Sequence, residues 1–426
     1  MRIFGRFVAD RSGNFGMITA LLAVPLIGAA GLSVDFSHAL SVRAQLQAAA
    51  DAAAVGAIAQ SSDAAAAAMT MTGNGPIPIA KTDAHNIFFS QMSGETGNLP
   101  VDLTIDVTKT SNTLNSTVSF SASVSTSFMQ ILGQTSMKIS GTATAQYQTA
   151  SFMDFYMLLD NTPSMGVGAT ADDVSKLQAK TGCAFACHQM DQASNNYTAA
   201  KSLGVNMRID VVRKATQALT DTAKNERVTA DQFRMGVYTF GTKAEDAKLT
   251  TISSLNSNLT QVKTYTDAVD LMTIPYQNYN SDQLTSFDSA LTQMNTIIEP
   301  AGSGNSNTDR QKILFFVSDG VADAYKPSSC TKKTTGGRCQ EPIDTSFCKP
   351  LKDRGVKIAI LYTTYLPLPS NDWYNSWIKP FQSEIPTRMS DCASPGLYFE
   401  VSPTEGISAA MKALFLKTIS SPRITS

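Results

Sequence analysis

Hydrophobic and polar positions divide the chain into three textures. From Phe15 to Val34 no charged residue interrupts a run of apolar and small side chains. A helix of about 20 such residues is long enough to cross a bilayer, and Pro25 kinks such a helix without forbidding it. The following stretch, "SVRAQLQAAADAAAVGAIAQ", is dense in alanine, the strongest helix former. It predicts that the helix continues to about Gln60, with a second piece over residues 63–71 that "TGNGPIPIA" breaks. Between Val101 and Thr149, alternation in "LTIDVT", "STVSFSASVS" and "MKISGTATAQY" predicts strands with one wet face. "FMQILG" between them reads as a short helix, so this part is a small α+β unit. From Ser151 onward, the short apolar runs "DFYMLLD", "FRMGVYTFG", "KILFFVSDG", "VKIAILYTT" and "GLYFEV" alternate with helical patterns. Those helices are expected over 208–224, 255–272, 286–298, 344–354, 372–382 and 404–417. Strict alternation predicts the α/β class, a doubly wound and mostly parallel sheet with helices on both faces. In such sheets ligands sit beyond the carboxyl ends of the strands.

Charge settles the expected orientation. Arg2, Arg6 and Arg11 precede the apolar run, which keeps the N-terminus cytoplasmic and exports everything after the span. The expected layout is therefore a cytoplasmic segment 1–14, a transmembrane helix 15–34, a helix-plus-α+β unit 35–150, and an α/β domain 151–426. A signal peptide cleaved near "GAAG" is the alternative, but signal-peptide apolar cores run only about 7–15 residues. Overall, 34 Lys plus Arg balance 35 Asp plus Glu, which gives no electrostatic reason to expect a nucleic acid partner. The three histidines, His38, His85 and His188, are far apart in sequence. An even count of six cysteines in an exported chain suggests disulfides. Cys183–Cys187 and Cys330–Cys339 are the favoured local bridges, leaving Cys348–Cys392. A zinc site of Cys183, Cys187 and His188 is the rival reading, but it lacks a second ligand cluster at the usual spacing.

The candidate chemistry lies where two apolar strands stop. "LLDNTPSM" ends in Asp160, Thr162 and Ser164, "FFVSDG" ends in Asp319, and "LTSFDSAL" offers Thr285 just before a helix, with Ser286 or Asp288 as substitutes. Two carboxylates and three hydroxyls form an all-oxygen donor set. Hard divalent cations, Mg²⁺ above all, take such ligands while keeping several waters. The alternatives are a helix cap for Thr162 and Ser164 and an Asp-Gly turn for Asp319.

These three segments resemble the von Willebrand factor A domain and its metal-ion-dependent adhesion site. The resemblance covers residues 151–426, interrupted by Cys-bearing insertions at 166–205 and 321–343. It implies Thr162 and Ser164 as direct ligands, Thr285 as the third loop's ligand, and Asp160 and Asp319 acting mostly through waters. The cofactor would be Mg²⁺ or Mn²⁺, completed by an acidic side chain of a protein partner. Thr162 stands where the motif has serine, and Pro163 replaces the more common glycine.

The N-terminal part carries a second resemblance. The basic lead, the small-residue span, Asp35 directly after it and "LQAAADAAA" resemble the N-terminal segment of TadE/TadG-like proteins of tight-adherence (Flp) pilus assembly. Pseudopilin-type cleavage needs a Glu five residues after a Gly, and Ile18 and Leu21 stand there instead, so an uncut anchor is expected. Together the resemblances imply a non-enzymatic protein of the bacterial inner membrane, single-pass, with its C-terminal domain periplasmic. It would bind other pilus-assembly or envelope proteins through a metal site. The alternatives are a metal-independent scaffold and a metal-dependent hydrolase, for which Glu245, Asp323 and His188 are candidates by position only.

Overall fold

The computed structural model describes residues 13–365, 367–369, 371–402 and 406–419. The expected cytoplasmic segment lies outside the described residues as far as residue 12, and so does Thr404, where the last helix was expected to begin. The chain divides into two compact units, Met1–Thr149 and Ala150–Ser426.

In the first unit, helix α1 runs unbroken over Gly13–Gly56 and includes Pro25. It is long and apolar enough to cross a membrane. Its N-terminal half exposes large apolar side chains in several directions, among them Leu21, Val24, Leu26 and Ile27. Its second half buries a single stripe instead: Ala39, Val42, Leu46, Ala49, Ala50, Ala53, Ala54 and Ala57. That spacing of three and four is one helical face, and its small side chains let the helix lie close on a sheet. Short helices α2 (Asp63–Thr70) and α3 (Pro78–Gln91) follow. The sheet is antiparallel in the order β1 (Gly75–Pro76), β2 (Val101–Thr110), β3 (Thr113–Ser125), β4 (Ser136–Gln148). Val118, Phe120, Ala122 and Val124 on alternate positions of β3 pack under α1, as the polar/apolar alternation requires. Helix α1 stops at Gly56, short of Gln60. The "FMQILG" segment is a 3₁₀ turn over Met129–Leu132, with Gly133 in the left-handed conformation closing it.

The second unit is built on a six-stranded sheet. Its elements in chain order are β5 (Met153–Leu159), α4 (Ala171–Thr181), β6 (His188–Gln189), α5 (Asn196–Ser202), α6 (Arg208–Glu226) and β7 (Phe233–Thr239). Next come β8 (Thr250–Asn256), α7 (Leu259–Tyr265), β9 (Thr273–Ile274), α8 (Phe287–Ile297) and β10 (Gln311–Ser318). The last are β11 (Val321–Tyr325), β12 (Arg338–Pro342), α9 (Lys349–Asp353), β13 (Lys357–Thr363), α10 (Ile385–Cys392), β14 (Tyr398–Val401) and α11 (Ile407–Ile419). The sheet order is β14-β13-β10-β5-β7-β8. All neighbours are parallel except β8, which pairs antiparallel to β7. Strand β5 is buried throughout, as a central parallel strand should be. Phe155, Met157 and Leu159 face a core formed with α6, α7 and α11. Tyr156 and Leu158 face the opposite core, formed with α8, α9 and α10.

Three expectations need correction. The helix expected over 255–272 is shorter: Leu255 and Asn256 belong to the end of strand β8, which pairs with β7, and α7 covers only Leu259–Tyr265. The helix expected over 372–382 is a π-helical turn at Tyr374–Ile378. The second insertion is a hairpin, β11 against β12, while the first contains α4, β6 and α5. Cys330–Cys339 and Cys348–Cys392 are bonded, but Cys183 and Cys187 are free thiols. Phe185 bridges to Val167, and His188 pairs with Thr273. The backbone of this segment is thus fixed by other pairings, at Phe185 between the two cysteines and at His188 directly after the second.

Candidate metal centre

The central pair of strands explains why the site forms. Strands β5 and β10 are parallel neighbours in register, with Val317 opposite Leu159. Asp160 and Asp319 therefore leave the sheet side by side, and both are fully buried. The Asp160 N–H still bonds to the Val317 carbonyl (3.0 Å), so the turn starts directly on the ladder.

Each Asp160 oxygen is engaged. Oδ1 accepts from the Thr162 hydroxyl (2.7 Å) and the Thr162 N–H (3.1 Å). Oδ2 accepts from the Ser318 hydroxyl (2.6 Å). The Thr162 and Ser164 hydroxyl oxygens lie 3.5 Å apart, and Ser164 hydrogen-bonds the Asp319 carboxylate. Asn161, which sequence reasoning passed over, pins the turn to the neighbouring strand. Its Oδ1 accepts from the Phe240 N–H (3.0 Å), and its Nδ2 donates to the Gly241 carbonyl (2.7 Å). On the other strand, Gly320 turns the chain at φ 76°. A Cβ there would lie 2.5 Å from Ile385 Cγ2, so glycine is required.

The fold thus brings Asp160, Thr162, Ser164 and Asp319 together. Thr162 stands at the start of a 3₁₀ turn but makes no side-chain cap; its hydroxyl is spent on Asp160. Thr285 arrives from elsewhere through a two-way backbone bridge with Asp323, 2.8 Å in each direction. It lines the same cavity as Ser164. Its substitutes are engaged: Ser286 caps α8, and Asp288 pairs with Lys326 at 2.5 Å.

One residue was not legible in advance. Arg208, at the start of α6, is buried and points Nη1 at Asp319 Oδ2, 3.4 Å away. Its Nη2 reaches the Thr364 carbonyl (3.4 Å), and its Nε has no partner among the described residues. Two buried carboxylates therefore face one guanidinium. Burial, and then the charge of Asp319, push the Asp160 carboxyl up to about 6. Burial also raises Asp319, against the pull of Arg208. The donor set is all oxygen. Thr162 gives its only hydroxyl hydrogen to Asp160, which leaves its lone pairs free to face a cation. The residues present fit a hard divalent ion, whose charge would offset the negative charge that one guanidinium leaves uncompensated.

A pH dependence follows. The folded Asp160 carboxyl binds its proton more tightly than its ordinary value of 3.8 allows in the unfolded chain. Its contribution therefore makes the metal-free fold lose stability as pH rises from about 4 to about 6. Asp160→Asn cannot ionise and will lack this slope. Denaturant titrations of both proteins in EDTA across that range should show the difference, and parallel curves would contradict it.

Above the site opens a cavity of about 720 Å³. Ser164 and Thr285 lie on its wall, and both insertions contribute: Cys183 and Cys187 from the first, Asp323 and Arg338 from the second. Asp323 is locked by Arg338 (2.5 Å) and Gln340 (2.8 Å). Glu245 is exposed in a 3₁₀ turn, and His188 stacks on Tyr197 at 3.8 Å. Among the described residues, the one close group of three Cys, His, Asp or Glu side chains is Cys330, Cys339 and Glu341. Its cysteines are disulfide-bonded.

Several solved structures are similar to this chain at low identity and low TM-score. The pilus adhesin SpaC from Lactobacillus rhamnosus GG is similar over 77% of this chain and 35% of its own, at 11% identity and TM-score 0.37. Proximal thread matrix protein 1 of the mussel byssus is similar over 62% of this chain and 47% of its own, at 14% identity and TM-score 0.32. The chain thus spans a third to a half of the length of these two proteins. The vWF domain of the type V pili tip protein Mfa5 from Porphyromonas gingivalis is similar over 65% of this chain and 99% of its own, at 8% identity and TM-score 0.35. No curated protein sequence matches the chain. Residues 13–69, which hold all of α1 and nearly all of α2, match the family described as Tad, putative Flp pilus-assembly TadE/G-like.

Proposed function

We propose that this chain is a pilus-associated protein of the bacterial inner membrane, anchored by α1, that binds a protein partner through a metal site in its second unit. The match of residues 13–69 to the TadE/G-like family supports the pilus-assembly part. The site reading rests on one observation: Asp160, Thr162, Ser164 and Asp319 converge at the carboxyl ends of adjacent parallel strands. The mostly parallel six-stranded sheet, with a helical layer on each face, supports reading the second unit as a doubly wound domain of the von Willebrand A type. Thr162, Ser164 and Thr285 would hold Mg²⁺ or Mn²⁺, with Asp160 and Asp319 supplying charge behind them. The ion would offer an open position to a carboxylate of the partner. On this reading the role is binding: Asp323 is held in an ion pair with Arg338, and Glu245 lies in an exposed 3₁₀ turn, which supports it.

A second reading has one observation in its favour. Arg208 already places a cation against Asp319, so the same turn can serve a metal-independent scaffold. Co-purification from solubilised envelopes separates the two. Partner proteins should be retained in Mg²⁺, lost in EDTA, and lost from an Asp160→Ala chain. Equal retention in all three would favour the scaffold.

A further inference from the structure

We propose that the tip of the β3–β4 hairpin, residues 127–133, inserts into the leaflet from which α1 emerges, giving the first unit a second membrane contact. This rests on the reading of α1 as a membrane span.

The tip sits at the level where the uncharged run ends. The Asp35 carboxylate accepts from the backbone N–H groups of Ser127 (2.9 Å), Phe128 (2.8 Å) and Met129 (2.7 Å). One turn earlier, a Cβ on Gly31 would lie 2.6 Å from the Phe128 ring. Phe128 therefore rests on the last turn of the span itself, and only glycine admits it there. The rest of the hairpin climbs α1 away from that level. Arg43 Nε donates to the Ser140 carbonyl (3.0 Å) and Gln47 Nε2 to the Thr142 carbonyl (3.1 Å). The tip is thus the membrane-proximal end of the hairpin.

Its composition suits lipid. No charged residue or histidine occurs between Ser111 and Met137. Ile131 is 85% exposed, Leu132 66% and Phe128 43%. In water these side chains form an apolar cluster with nothing in this unit covering it, of the kind that marks a membrane or partner contact. The exposed apolar face of α1 continues directly into it through Val34 and Phe36, which selects the bilayer over a separate partner. Much of the tip backbone is already paired. Besides the three amides on Asp35, Ile131 N–H bonds to the Phe128 carbonyl (3.2 Å), Gly133 N–H to the Gln130 carbonyl (2.9 Å) and Gln134 N–H to the Met129 carbonyl (3.0 Å). A loop with most of its amides paired enters the interfacial layer at a lower desolvation cost than an open loop.

The test uses the full chain in lipid nanodiscs with bromines placed either near the headgroups or at mid-bilayer. Tryptophan reporters are introduced singly as Ile131→Trp, Leu132→Trp and Leu26→Trp. Difference spectra against the parent chain remove the signals of Trp373 and Trp377. The expected result is blue-shifted emission from the two tip reporters, with greater intensity loss to headgroup-level bromines than to mid-bilayer ones. The Leu26→Trp reporter should lose most to mid-bilayer bromines. If it does, while both tip reporters remain red-shifted and open to aqueous iodide, the insertion is overturned and the span stands; the tip is then free for a protein. If no reporter is quenched by brominated lipid, the span reading fails and the insertion fails with it.

Discussion

Asp154→Ala will destabilise the second unit by about 3–5 kcal/mol, the cost of removing one partner from a buried charge cluster. Asp154 lies near the start of β5, fully buried, opposite Arg234 of β7 and Lys312 of β10 in the strand registers. It accepts from Arg234 Nε and Nη2 (2.7 Å each), Arg310 Nε (2.6 Å) and Lys312 Nζ (2.6 Å). Burial alone would raise its carboxyl. Hydrogen bonds from Arg234 and Lys312, and the charge of Arg310, hold it below the ordinary value instead. Truncation leaves Arg310 and Lys312 buried beside one another, with only Asp231 near Arg310 at 3.7 Å. Denaturant unfolding followed by tryptophan emission reads this directly, because Trp373 and Trp377 are the chain's two tryptophans and both belong to this unit. A loss under about 1 kcal/mol would place the cluster among ion pairs of the surface kind.

Arg208→Met is expected to cost a similar amount, about 3–5 kcal/mol in EDTA, by the same mechanism at the opposite end of the sheet. Among the described residues, the guanidinium is the cation that pairs with the buried Asp160–Asp319 site, and it is itself buried. Removing it has a second consequence that ordinary destabilisation does not share. A divalent ion becomes the sole compensation for two carboxylates, so added Mg²⁺ or Mn²⁺ should stabilise the variant more than the wild type. If Arg208 is merely structural, the two proteins will gain equally from the ion, or neither will gain.

The sheet was legible because its strands are short apolar runs that end in polar turns, and β5 and β10 carry the strongest of these. The same property exposed Asp160 and Asp319, since a carboxylate directly after a buried strand is conspicuous. Other elements were hidden for identifiable reasons. Pro78 reads as a breaker in "GPIPIA", yet it stands at the first turn of α3, where a missing N–H costs nothing. Strand β8 went unread because "TTISSLN" has few apolar residues, and its last two residues read as helix because the helical "LTQVKTY" follows after a short turn. Arg208 carried no signal in the sequence because its partner is 111 positions away, and only the fold unites them. Cys183 and Cys187 were close enough in sequence to suggest a bridge, but both are free thiols, in a segment whose backbone pairs through Phe185 and His188.

The central claim is that the Asp160 turn binds a divalent ion. Thermal melting of the full chain, read by tryptophan emission in EDTA, Mg²⁺ and Mn²⁺, tests it beside an Asp160→Ala chain. At a hundredfold excess over Kd, binding to the folded state adds about 2.7 kcal/mol, roughly 5–10 °C for a unit of this size. The account predicts that shift in the wild type and none in the variant. An equal shift in both proteins, or none in the wild type, would contradict it.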